Sequence, residues 1–285
     1  GPRRGVMSTV VHELVEYRDL LWQLTLRDVR IRYAQAVMGL AWAVLMPIVV
    51  VLSGLLIRYA MAQHADVGLG RSVIAGIAIK GLLWSFFSSA LAMGTMSLVV
   101  NKHLVTKLYF PREVLPLATL FAQSFDLLIG LTVVTILLPF LGATASLNIL
   151  WVVALVPLLF GLTLAFTTLL SCANLFFRDV KYIVQVVTTF GMFIAPVFFE
   201  PAMFGPVGAR IAMLNPIAPI MEGARLAVVQ GHNLLVPLEV VNAKGLTVLA
   251  WTPYDLLYSL LFVVVGMNVS VRIFRRASAV FAEYA

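Results

Sequence analysis

RDLLWQLTLRDVRIRYAQAVMGLAWAVLMP, residues 18–47, changes character half way along. Glu16, Asp19, Gln23, Arg27 and Arg30 recur every three or four residues and share one helical face. Val15, Leu21, Trp22, Leu26 and Val29 fall largely on the others. Arg27, Arg30 and Arg32 gather at the end of this segment, and no charge follows until Arg58. A helix with a basic end and an apolar face lies along a membrane surface beside anionic headgroups, and this one runs on into an apolar span.

The rest of the chain fits that beginning. Of 285 residues, 61% are hydrophobic and only 12% charged, about half the charged share of a soluble domain. The composition is that of an integral membrane protein. The net charge of +7 is better explained by basic loops that set membrane topology than by nucleic acid, because no soluble basic domain is present to bind it. The single cysteine, Cys172, lies in an apolar run and reads as a small buried hydrophobe. The leader is too charged for a cleavable signal peptide.

A spanning helix needs about 20 apolar residues. Six segments qualify: 39–57, 74–100, 114–141, 149–173, 182–199 and 254–274. Residues 1–10 read as disordered or as an expression remnant, 11–33 as the surface helix, 34–275 as one transmembrane domain and 276–285 as a tail. Basic residues crowd the N-terminal segment, the loop 101–113 (Lys102, Lys107, Arg112), the turn at Arg178 and Lys181, and the C-terminal end (Arg272, Arg275, Arg276). The opposite side holds only Arg58, Arg71, Arg210, Arg225 and Lys244. The bias places both termini in the cytoplasm.

The segment 200–253 lies on the far side. It is long, half apolar and rich in proline, and 217–229 reads as a helix too short to span, carrying Glu222 and Arg225. A re-entrant or interfacial hairpin fits, tolerable at membrane depth only when packed on protein or facing water. A plain surface cap is the alternative. Residues 234–247 then show a strand-like Val/Leu pattern.

The sequence lacks a phosphate-binding GxxxxGK[ST] loop, a Ser/His/Asp arrangement and metal-ligand spacing. Catalysis and a bound cofactor are not expected. Asp126 and Lys80 are ionisable groups well inside their spans, and such groups are costly there. Asp126 falls roughly 18 Å into its span at 1.5 Å per residue. It reads as a proton or substrate site, or as a carboxyl bonded to a neighbouring helix. Lys80 reads as snorkelling to the interface or as facing a polar pathway. Trp42, Phe190 and Phe193 are deep aromatics, suited either to packing or to stacking on sugar faces.

Three passages together resemble the transmembrane subunit of ABC-2 type polysaccharide exporters, the O-antigen exporter permeases (Wzm-like) first and the teichoic-acid exporter permeases next. They are Arg27-Asp-Val-Arg-Ile-Arg-Tyr33 with Met38-Gly-Leu-Ala-Trp-Ala43 and Pro47; Lys107-Leu-Tyr-Phe-Pro-Arg-Glu113; and Asn174-Leu-Phe-Phe-Arg-Asp-Val-Lys-Tyr-Ile-Val184 with Pro196, Leu214-Asn-Pro216 and Glu222-Gly-Ala-Arg225. The likeness covers most of residues 11–275. It implies an all-α, six-span permease of the bacterial inner membrane, with an N-terminal interface helix and periplasmic gate helices. It implies a homodimer with two ATPase subunits, which would carry the ATP and Mg.

The resemblance also implies roles. A lipid-diphosphate-linked glycan would enter near Arg27, Arg30 and Arg32. It would pass Trp42, Tyr59, Phe190, Phe193 and Phe198 in a channel between two copies, bordered by membrane lipids. Lys102, Lys107, Tyr109 and Arg112 would couple to the ATPase, and Glu222 and Arg225 would belong to the gate. The rival readings are an ABC-2 permease for a drug or small amphipathic molecule, and an ion-coupled transporter using Asp126 and Lys80. The latter lacks the inverted repeats and broken-helix pair such folds carry. A membrane enzyme of lipid-linked sugars would need loop-borne acidic pairs, which are absent from the sequence.

Overall fold

A computed structural model of the chain describes residues 12–34, 71–107, 110–141, 146–242 and 245–278, with scattered positions between 41 and 60 and Phe281. The elements are α1 (Arg18–Ala34), α2 (Arg71–Val100), α3 (Lys102–Lys107), α4 (Val114–Leu137), α5 (Trp151–Phe176), α6 (Val180–Ile194), α7 (Gly205–Met213), α8 (Ala218–Val229), β1 (Leu238–Val241), β2 (Thr247–Trp251) and α9 (Pro253–Ser278). The first expected span, 39–57, and the segment 1–10 lie essentially outside the described residues.

Among the described residues, four helices are long and apolar enough to cross a membrane: Ser72–Val100, Val114–Leu141, Leu147–Phe176 and Pro253–Ser278. The chain is a multi-pass helical membrane protein. The fifth expected span differs. Its helix, α6, has 15 residues and stops at Ile194, because Ala195 is extended (φ −70°, ψ 145°) ahead of Pro196. Nor is the fold wholly helical. Residues 238–251 form an antiparallel hairpin in which Val241 faces Thr247 and Leu238 faces Trp251, turning at Gly245 with φ 75°. A left-handed residue there favours glycine.

α2 is the centre of the bundle. It packs against α4, α5, α6 and α8, and 72% of its apolar window is buried, against 22–28% for the other three spans. Its small residues explain this: a Cβ on Gly94 would meet Thr167 Cγ2 at 2.7 Å, so α2 and α5 approach closely there. Several buried hydroxyls are satisfied within their own helices. Thr95 donates to the Leu91 carbonyl at 2.6 Å and Thr163 to Leu159 at 2.7 Å.

Two ends extend from this centre. At one end α8 is buried along its whole length. The hairpin covers it: Trp251 is fully buried, donates from Nε1 to the Leu234 carbonyl at 2.9 Å and packs where Gly223 leaves room. Arg210 of α7 ties this assembly to α9 through Asp255 at 3.2 Å and to β2 through the Leu249 carbonyl at 3.2 Å. Asp255 in turn accepts from the Thr252 amide at 2.7 Å, capping the start of α9. At the other end Leu24, Leu98, Val105, Phe110, Leu115, Cys172, Phe274 and Phe281 form a separate core beneath α1 and α3.

Candidate functional site

The α8 end holds a buried cluster of four charges. Lys80 of α2 is 1% exposed. Its Nζ lies 3.6 Å from Glu222 Oε2 and donates to the Phe199 carbonyl at 2.6 Å. Arg225 donates to Glu222 Oε1 from Nε at 3.0 Å and from Nη2 at 2.6 Å. Its Nη1 also sits 3.7 Å from Glu200. The i, i+3 spacing places Glu222 and Arg225 on one face of α8. Gly76 of α2 makes room for the Arg225 stem, whose Cδ lies 3.0 Å from where a Cβ would stand. Two cations against two carboxylates leave the cluster neutral, which is what permits charge at this depth.

Lys80 therefore neither snorkels nor faces a pathway, as the sequence suggested. A lysine inside a span takes the nearest carboxylate when one can be reached, and the fold brings Glu222 to it. Glu200 and the Phe199 carbonyl were missed, since nothing local marks a residue as the partner of one far along the chain.

Asp126 is also paired, but elsewhere. It accepts from Arg32 and from the Tyr33 hydroxyl, both at the end of α1, and Arg32 also donates to Gln123 Oε1 at 3.1 Å. Of the two readings of Asp126, the geometry is that of a carboxyl bonded to a neighbouring helix. Lys80 and Asp126 share no partner. Burial first, then Asp126, pushes the Tyr33 phenol up to about 12. The three arginines expected at the entrance thus differ: Arg32 holds Asp126, Arg27 pairs with Asp28 at 2.8 Å, and Arg30 is exposed with no ion pair among the described residues.

Around α3 the polar contacts join three distant segments. Lys102, His103, Thr106 and Lys107 are exposed, while Val105 is 2% exposed and anchors the helix. Arg112 donates to the Ser278 carbonyl at the end of α9 and to the Val105 carbonyl at 3.5 Å. Arg275 of α9 bridges Glu113, at 3.0 Å, and Glu13. Within the expected tail, Phe281 is fully buried, edge-on to Phe274 at 5.2 Å. Tyr109 lies outside the described residues.

Between these ends α6 leaves a face uncovered. Tyr182, Val186, Phe190 and Phe193 are 54–60% exposed on one side of it, and Val184 is buried against the bundle on the other. Tyr59 is likewise exposed. Phe198 is not: it is 4% exposed, in the core, with its ring 5.8 Å from that of Phe193. Trp42 lies outside the described residues. Between α2, α5 and α6 is a cavity of about 370 Å³, apolar except for Asn215. Such a lining does not suit a hydroxyl-rich molecule.

Residues 19–229 match the model of the family described as ABC-2 type transporter. Relatives fall in one group. The O-antigen export system permease protein RfbA of Myxococcus xanthus is 28% identical over 232 residues, covering 80% of this chain and 86% of that protein. Two proteins of the same name from Klebsiella pneumoniae are each 26% identical over 209 residues, covering 71% of this chain and 77% of theirs.

Proposed function

The chain belongs to the ABC-2 type transporter family, whose members work with an ATPase, and on that premise we propose that it is the permease subunit of an ATP-driven exporter of lipid-linked, O-antigen-like polysaccharide. The relatives' names support the cargo. The observation that carries the reading is the uncovered face of α6 with its exposed aromatics, beside a cavity whose lining is almost wholly apolar. Two copies facing each other across α6 would enclose a passage lined by Tyr182, Phe190, Phe193 and Tyr59. A sugar ring slides over such rings without fixed hydrogen-bond geometry.

In this mechanism both termini and α3 face the cytoplasm of a bacterial cell and the α7–α8 assembly faces outward. The exposed Arg30 attracts the lipid-linked diphosphate from the inner leaflet, while Arg27 and Arg32 shape the end of α1 through their own carboxylates. α3 presents Lys102 and Lys107 to one of two ATPase subunits, which hold ATP and Mg. Closure of the ATPase pair moves α3 and α1 together. The neutral cluster of Lys80, Glu222, Arg225 and Glu200 fastens the gate helix α8 to α2 until that movement reaches it.

The test is export in proteoliposomes containing this chain and its ATPase. Lys102, Lys107, Tyr109 and Arg112 are changed together to Ala. Loss of glycan export with the complex still assembled is expected. Normal export, or export of small amphipathic drugs but no glycan, would overturn the proposal.

A further inference from the structure

We infer that Phe281, beyond the end of α9, is a positioning residue that braces the α3 loop. The argument starts from α3, whose six residues are too few to hold a helix unaided. It must be held from outside, and besides the buried Val105 the side chain that does so is Arg112. Its guanidinium donates to the Val105 carbonyl, inside α3, and to the Ser278 carbonyl, at the last residue of α9. That carbonyl has no partner within its own helix and lies at the negative end of the helix dipole, so an arginine is suited to it. The same guanidinium lies over the ring of Phe281, 5.4 Å from the centroid.

Phe281 is fully buried and fixed by two edge contacts, to Phe274 at 5.2 Å and to Phe176 at 6.0 Å. Its neighbour contacts come from α5 and α9, while Arg112 belongs to the loop after α3. Phe281 therefore supplies a rigid platform that the loop itself does not own. The salt bridge between Arg275 and Glu113 runs beside it. Any push on α3 is shared with α9 and α5 through this platform, not passed to α2 alone.

The consequence for ATPase coupling rests on the function proposed above, but the brace does not, and the experiment separates them. Amide hydrogen exchange is measured on the full chain in detergent, for wild type, Phe281→Ala, Phe281→Leu and Phe281→Trp. In Phe281→Ala the amides of residues 102–112 exchange roughly tenfold faster while those of α8 are unchanged. Phe281→Leu, which keeps apolar volume but offers no ring, falls between, and Phe281→Trp restores protection. Wild-type protection in the alanine variant, or equal loss in α8, overturns the brace. A second arm measures association with the ATPase subunit. Weaker association in Phe281→Ala, rescued by Phe281→Trp, is expected. Unchanged association beside altered exchange leaves the brace standing and counts against the proposed docking role of α3.

Discussion

The two ends of this molecule handle charge in opposite ways. Around α8 four charges are drawn into one neutral knot, with Lys80, Glu222 and Arg225 at most 6% exposed. Around α3 the charges are half exposed and strung out: Arg32 to Asp126, Arg275 to Glu13 and Glu113, Arg112 to the end of α9. The first arrangement is all-or-none. Removing one member strands the others in a medium that cannot solvate them. The second is graded, since water screens each pair and another contact remains when one is lost. Under the proposed function, a gate held shut suits the first, and a surface that gives under a partner's push suits the second.

The sharpest way to break this contrast is Glu222→Gln. It leaves Lys80 and Arg225 without their shared carboxylate, and a loss of about 3–5 kcal/mol is expected, read as a large drop in the unfolding midpoint in detergent. Asp126→Asn, at the other end, should cost only about 1 kcal/mol, because Arg32 and Asp126 are 25% and 31% exposed and Gln123 stays in reach.

The same variant has a spectroscopic signature. Tyr33 ionises near pH 12 in the folded chain against an ordinary value of 10.0. Its raised value contributes stability that is fully present below pH 10 and lost as pH rises toward 12. Without the Asp126 carboxylate the phenolate forms at lower pH, though burial keeps it above the ordinary value. A difference absorbance titration of wild type against Asp126→Asn reads this.

Ionic strength sharpens the comparison further. Raising salt from about 0.1 M to about 1 M shortens the screening length from about 10 Å to about 3 Å. The stability difference between wild type and Asp126→Asn should then shrink, while that for Glu222→Gln should hold. The smallest effect on stability is expected for Lys102→Ala with Lys107→Ala, whose side chains are exposed. Their unfolding midpoint should match wild type even where ATPase coupling is lost.

Much of the frame was legible beforehand. The runs 74–100, 114–141, 149–173 and 254–274 correspond to helices because length and lack of charge decide a span before any packing does. The short apolar helix carrying Glu222 and the strand-like stretch after it were also readable. The fifth span was drawn too long because the apolar run continues to Phe199. Pro196 ends the helix without ending the hydrophobicity. Phe198 looked like a companion of Phe190 and Phe193, yet it lies past that break and turns into the core.

What the sequence determined by itself was the solvent: a chain this apolar belongs in a bilayer, with its basic loops marking one side. What only the tertiary structure decided was which faces and which charges meet. Lys80 and Glu222 are 142 positions apart, as are no two residues a local pattern can relate. In α2, apolar almost all round, no periodic stripe announces which side is inward. The rotation of α6, and with it the face left uncovered, comes from Gly191 seating against Trp84 and Val184 against the core. The same holds for residues 18–47. Their pattern put a basic helix at a membrane surface, and only the fold assigned Arg32 to Asp126 and left Arg30 exposed.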